Sequence, residues 1–216
     1  MAPAPLVIAV DGPAASGKGT VARGLARHYG LPHLDTGKLY RAVALSLLRW
    51  GGDPDSEFAA LRACDEVAGL MDDPELKSEM VGGVASRVSA YPAVRKALLE
   101  RQRDFAGNAG GAVLDGRDIG TVIAPHANAK LFVTASAQER ARRRHAELQA
   151  AGLPVHLPDV LIDIRARDDR DSGRSAAPLR KAEDALLLDT TSLGAEEALA
   201  EAIRLVEYRL NQARSP

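Results

Sequence analysis

Apolar and polar positions along the chain follow two alternating rhythms. Leu6 to Val10 is a continuous apolar and β-branched run, which predicts a buried strand, and a glycine-rich stretch from Gly12 to Thr20 comes directly after it. The next residues, VARGLARHYG, place Val21, Leu25 and His28 at helical spacing, and Gly30 and Pro32 punctuate that helix. A short strand is expected to end near Asp35. It leads into LYRAVALSLLRW, a strongly apolar helix closed by Gly51 and Gly52. From Asp53 to Gly107 the pattern is helical, with breaks expected at Pro54, Pro74, Pro92 and the Gly82 and Gly83 pair. Further buried strands are expected at Gly111 to Asp115, Ala129 to Thr134 and Ala185 to Leu188. Strands alternating with helices from the N-terminus onward predict a parallel sheet covered on both faces, with its binding crevice at the carboxyl ends of the strands.

Composition narrows the class. With 46% hydrophobic residues and 4% aromatic ones, the 216-residue chain reads as a helix-rich α/β protein with one sizeable core and room for a small inserted lobe. Its 28 basic and 29 acidic residues nearly cancel, so no global field draws it to nucleic acid or an anionic membrane. Any phosphate recognition must therefore be local. Cys64 stands alone, which excludes an internal disulfide. The first residues are too short and too weakly basic for a secretory signal, and no apolar run reaches the roughly eighteen residues of a membrane span. A cytoplasmic monomer without nucleic-acid or membrane partners is the expectation.

The first candidate chemistry lies in Gly12, Pro13, Ala14, Ala15, Ser16, Gly17, Lys18, Gly19 and Thr20. The spacing G-x-x-x-x-G-K falls between a predicted strand and a predicted helix, the context in which it forms a P-loop. Glycines let successive backbone N–H groups turn inward, the helix start adds its positive dipole end, and a lysine otherwise solvated there reaches the outer phosphates. Thr20 is placed to serve Mg²⁺, directly or through water. Gly17, Gly19 and Ala22 also fit a dinucleotide-binding pattern, but there the first glycine should follow its strand directly, whereas five loop residues, Gly12 to Ser16, precede Gly17 here, which makes that match accidental.

A P-loop serves kinases, ATPases, GTPases and sensors alike. The variant GKGT resembles that of nucleoside monophosphate kinases more than that of GTPases. Four further segments resemble the bacterial cytidylate kinases in sequence and order: Leu34 to Arg41 (LDTGKLYR), Tyr91 to Arg95 (YPAVR), Leu114 to Thr121 (LDGRDIGT) and Arg167 to Arg174 (RDDRDSGR). The resemblance spans nearly the whole chain. It implies an α/β fold: a parallel-sheet P-loop kinase core (1–52 and 108–216), a mostly helical monophosphate-binding insert (53–107) and a helical lid (about 153–179). The implied reaction moves the γ-phosphoryl group of Mg·ATP to CMP or dCMP. Lys18, Arg117 and Arg167 take catalytic roles on this reading. Arg41 and Arg117 hold the acceptor phosphate; Thr36, Arg95, Asp118 and Arg174 face the base; Ser86, Arg167 and Asp171 lie near the sugar. Asp115, at the end of a predicted strand, orders water on Mg²⁺, although a capping or turn aspartate fits the sequence equally well.

One departure from the family is visible. Its members usually carry a larger insert with a small antiparallel sheet, whereas only Met71-Asp-Asp-Pro74 separates Leu70 from Glu75 here. Two other readings compete. A kinase for another small acceptor, such as shikimate or gluconate, leaves Asp118, Asp171 and their neighbouring arginines unemployed. A non-catalytic nucleotide switch needs a partner surface, and the sequence offers no exposed apolar stripe. Arg140 to Arg144 and Ile162 to Arg180 mix with acidic residues and read as helix faces or a lid with a few inward arginines. The five histidines lack metal-ligand spacing and read as ordinary surface or core residues.

Overall fold

The structure is a computed structural model describing residues 5–212. Its centre is a five-stranded, all-parallel sheet made of β1 (Val7–Asp11), β2 (His33–Asp35), β3 (Ala112–Gly116), β4 (Ala129–Thr134) and β5 (Leu186–Asp189), in the order β2-β3-β1-β4-β5. The strands β1 and β3 are buried along nearly their whole length, which explains why they read as continuous apolar runs instead of alternating ones. Strand β1 lies between β3 and β4. The chain leaves it toward one side of the sheet and later returns to fill the other, so the switch point, and the crevice it opens, lies at Asp11.

Helix α1 (Lys18–Tyr29) follows the glycine-rich loop and packs with α9 (Ala195–Gln212) on one face of the sheet, where Ile8, Val10, Leu25, Leu131, Ala202 and Val206 form a core. Helix α2 (Thr36–Arg49) is capped by Asp35, whose carboxylate accepts the Lys38 N–H at 3.2 Å. Between 53 and 107 lie α3 (Glu57–Arg62), α4 (Val67–Leu70), α5 (Glu79–Val88) and α6 (Pro92–Ala106), joined by two 3₁₀ turns. These helices share one core with α2, including Leu39, Val43, Leu47, Val67, Val84, Val88 and Leu98.

The expected interruption at Gly82 and Gly83 does not occur. Both lie inside α5, because burial of Val81, Val84, Ala85 and Val88 against α2 outweighs the roughly 1 kcal/mol helix penalty of each glycine. Pro74 and Pro92 stand at the first turns of their helices, where a missing N–H costs nothing. After β3 the chain makes a π-helical turn, Ile119–Ile123, before β4. The last two helices before β5, α7 (Ala137–Ala150) and α8 (Leu157–Gly173), form a hairpin packed through Ala141, Leu148, Val160 and Ile164. Among the described residues no helix is long and apolar enough to cross a membrane.

Candidate active site

The carboxyl ends of β1, β2 and β3, the start of α1 and the facing sides of α2, α5, α7 and α8 enclose a cleft of about 540 Å³. At its floor the loop from Gly12 to Gly17 ends in a left-handed residue, Gly17 (φ 84°), which is the N-cap of α1 and offers no side chain to satisfy the helix's first N–H groups. Those donors, with the dipole behind them, face the cleft. Ser16 is fully buried, and its Oγ has no hydrogen-bonding partner. Lys18 is half-buried, contrary to the solvated position expected, and its Nζ makes only a long 3.4 Å bond to the Pro13 carbonyl. Burial, reinforced by the nearby Arg117 guanidinium, pushes its ammonium down to about 7.

The arginines singled out from the sequence come together above this floor. Arg41 on α2 donates to the Leu76 and Ser78 carbonyls at 2.8 and 3.3 Å, and it passes so close to α5 that a Cβ on Gly82 would meet its guanidinium at 2.9 Å. A glycine inside α5 is what lets Arg41 lie there. Arg117, just beyond β3, donates from Nε to Asp171 at 2.6 Å. Burial lowers Arg167 to about 9, with Arg117 and Arg41 adding repulsion, and its Nε is buried without a partner. Burial also lowers Arg41, again helped by like charges, Arg144 and Arg117 among them. Cations crowded this closely, with unpartnered N–H groups among them, form a site for a multiply charged anion.

A second, smaller recess adjoins the first and is lined by Thr36, Tyr40, Ser89, Arg95, Asp118, Asp171 and Arg174. Here carboxylates and guanidiniums pair. Arg95 meets Asp118 and also donates to the Ser89 carbonyl at 3.2 Å, while its guanidinium sits 5.6 Å from the centre of the Tyr40 ring. Arg174 meets Asp171 and donates to Ser89 Oγ at 2.9 Å. Burial alone would raise Asp171, but Arg117 and Arg174 hold it below the ordinary carboxylate range. Thr36 donates to the Asp115 carbonyl at 2.9 Å, which fixes the start of α2 against β3. Ser86 is buried, and its Oγ accepts from Arg170 Nε at 3.4 Å.

Asp115 does not cap a helix. It lies in β3 beside Asp35 of β2, and its Oδ1 is 2.7 Å from His33 Nε2. Thus His33, expected to be ordinary, holds a carboxylate that lines the cleft. The other oxygen of Asp115 faces the start of α1, within 3.6 Å of where a Cβ of Gly19 would stand. Thr20 is exposed, with its hydroxyl accepting from Arg23 at 3.3 Å. One carboxylate and one hydroxyl suit a Mg²⁺ that takes most of its ligands from substrate phosphates and water, and no cluster of three or more potential protein ligands exists among the described residues.

Residues to which the sequence assigns no site role complete the site. Asp11 at the end of β1 is fully buried and accepts the Ile119 and Gly120 N–H groups at 2.8 Å each, which anchors the turn that follows Arg117 and Asp118. Burial raises its carboxyl to about 7 in spite of those two bonds. Tyr40, Ser89 and Arg140 likewise sit in or against the two recesses. An amphipathic count could have found Tyr40, one residue before Arg41, but the others depend on contacts made across the fold.

The family model described as cytidylate kinase matches residues 8–208. Curated cytidylate kinases align over nearly the full length. The protein from Methylocella silvestris is 55% identical over 211 residues, 97% of this chain and 98% of its own. Those from Xanthobacter autotrophicus and Rhodopseudomonas palustris are 57% and 54% identical, each covering 94% of this chain and 98% and 96% of their own. Among solved structures, an uncharacterised protein from Eubacterium ventriosum superposes with a TM-score of 0.54 at 16% identity, covering 94% of this chain and 98% of its own. TT1252 from Thermus thermophilus does so with 0.50 at 24%, covering 96% and 98%. At such identities these two structures speak to the fold alone.

Proposed function

The chain belongs to the cytidylate kinase family, and from that premise we propose that it transfers the γ-phosphoryl group of ATP to CMP or dCMP, giving ADP and CDP or dCDP. The observation that carries this reading is the pairing of two adjoining recesses of different character. One is a cation-crowded cleft over a phosphate loop, suited to two phosphorylated reactants. The other is a recess of paired charges suited to the polar edge of a base.

Phosphoryl transfer asks a protein for alignment and for dispersal of negative charge. The loop from Gly12 to Thr20 holds the donor's phosphates, and Lys18 meets the charge that shifts as the γ-phosphoryl group leaves. Arg41 and Arg117 hold the acceptor phosphate, with Arg167 between donor and acceptor. Ser86 and Asp171 with Arg167 take the sugar, while Thr36, Arg95, Asp118 and Arg174 take the base. Thr20 and Asp115, the latter oriented by His33, would hold Mg²⁺, which when bound neutralises charge on the donor's outer phosphates. On this account residues 53–107 act as the acceptor-binding insert of a core formed by 1–52 and 108–216, and about 153–179 act as a lid. The protein works as a cytoplasmic monomer.

The held-down ammonium of Lys18 makes ATP binding a protonation event. A lysine titrating near 7 is largely neutral at pH 8, and an adjacent triphosphate favours its charged form, so binding should take up about one proton at that pH. Calorimetry in two buffers of different ionisation enthalpy measures it. A heat that does not depend on the buffer would contradict the assignment, and Lys18→Met should abolish the dependence.

The lid makes a separate prediction. Arg170 reaches Ser86 at the wall of the cleft, Arg174 reaches Ser89 in the adjoining recess, and Gly173 ends α8. Closure excludes the water that would compete for the phosphoryl group. Proteolysis between Leu153 and Leu179 should slow when ATP analogue and CMP are both present, and unchanged cleavage would count against a closing lid. The reaction itself is tested by ³¹P spectroscopy of protein, Mg·ATP and CMP. Loss of the ATP γ resonance should match growth of the CDP β resonance, and release of inorganic phosphate instead would make the protein a hydrolase.

A further inference from the structure

Arg140 begins as one basic residue among four on α7, yet it is only 4% exposed while Arg142 lies out in solvent. Its guanidinium serves three parts of the fold. Nε donates to the Ala135 carbonyl at 3.0 Å, which ties it to the segment between β4 and α7. Nη1 donates to the Ala14 carbonyl of the phosphate loop at 3.2 Å and to Asp168 Oδ1 at 2.9 Å, and Nη2 takes the other oxygen of Asp168. Asp168 lies on α8. Its chain neighbour Arg167, and Asp171 one turn on, line the cleft and the acceptor recess. Ala14 also belongs to the small apolar cluster that α7 and α8 form through Ala141, Leu148, Val160 and Ile164.

The consequence follows from peptide geometry. The plane that carries the Ala14 carbonyl carries the Ala15 N–H on its opposite edge, and the plane is rigid. Holding the carbonyl on Arg140 therefore sets the direction of a loop N–H, and any shift of the loop on taking up phosphate pulls on the same guanidinium that clamps α8. Ala15 is left-handed (φ 58°), so this part of the loop is held in place by its contacts, against its own preference.

We infer that Arg140 is a positioning residue that couples occupancy of the phosphate loop to the placement of α8, and so to the acceptor-binding residues Arg167, Asp171 and Arg174. This rests on the kinase reading above. It predicts cooperative binding of the two nucleotides, carried by the bidentate Arg140–Asp168 pair. Lysine at 140 keeps the charge but cannot make the fork, and asparagine at 168 keeps the shape but loses the charge.

The experiment measures the Kd of CMP by calorimetry with and without a non-hydrolysable ATP analogue, in wild type, Arg140→Lys, Asp168→Asn and the double variant, alongside melting temperature. In wild type the analogue should tighten CMP binding at least about fivefold, the lower end of usual coupling between sites. In each folded single variant that enhancement should fall to within twofold of none, and the double variant should lose nothing further, as expected for partners in one interaction. A purely structural role would lower the melting temperature and leave the enhancement intact, which would overturn the inference, as would a wild type without enhancement. Should Arg140→Lys fail to fold, Asp168→Asn, which spares the bonds to Ala14 and Ala135, decides alone. A wild type that does not phosphorylate CMP would sink the kinase reading itself. A wild type that does so while folded Asp168→Asn keeps full enhancement would sink only the role of Arg140.

Discussion

Lys18→Ala is expected to lose about two to three orders of magnitude in kcat while remaining folded, the usual cost of removing a donor aimed at developing transition-state charge. The fold should survive because this side chain contributes little to it. Its one hydrogen bond is the 3.4 Å contact to Pro13, burial disfavours its charged form, and the repulsion from Arg117 and Arg167 is opposed by attraction to Asp115 and Asp35, so its removal costs the free protein little. Helix α1 is held by Val21, Ala22, Leu25 and Ala26, which face the core and are untouched by the change. Circular dichroism, melting temperature and turnover on the same sample test it. A folded variant with near-normal kcat would remove Lys18 from the transfer step.

The second large effect concerns the base. Cytosine presents an amino donor beside acceptors at N3 and O2, whereas uracil presents an acceptor and a donor in the first two places. A carboxylate therefore suits cytosine and repels uracil. Asp118 is buried and paired with Arg95, so the recess already holds the acceptor and donor that such an edge needs. Asp118→Ala would leave Arg95 buried without its partner, which costs about 3–5 kcal/mol and puts the fold at risk. Asp118→Asn avoids that. It keeps an oxygen for Arg95 and adds an amide N–H that can face uracil. The loss of a charge-assisted contact to CMP and the relief of one unpaired group toward UMP should together narrow the CMP:UMP ratio of kcat/KM by about tenfold or more. A ratio within about twofold of wild type, under roughly half a kcal/mol, would mean that Asp118 does not read the base.

What could be read from the sequence follows a physical divide. The phosphate loop was legible because strand, spacing and helix start are all local, and the structure puts them where they were expected, with β1 displaced by one residue to end at Asp11. The DGRDIGT and RDDRDSGR segments were legible as motifs. Their pairing across 54 residues, Arg117 to Asp171, was not, because ion pairs between distant segments leave no period in the chain. Gly82 misled for the same reason. A glycine inside a helical pattern reads as a break, and only the passage of Arg41 over α5 explains it. Arg140 is the clearest case: four arginines in five residues read as a solvated face, while one of them is buried by its contacts with the phosphate loop and α8. His33 and Asp11 are tied to the candidate site only through neighbours, Asp115 and the Ile119 turn, that lie 82 and 108 residues away.

The measurement that bears most directly on the whole account is kcat/KM with ATP and Mg²⁺ for CMP, dCMP, UMP, AMP, GMP and shikimate under one set of conditions. CMP and dCMP should head the series, with UMP lower by about one to two orders of magnitude and the purine nucleotides and shikimate lower still. Phosphorylation of none of the nucleotides, or a preference for shikimate, would contradict it.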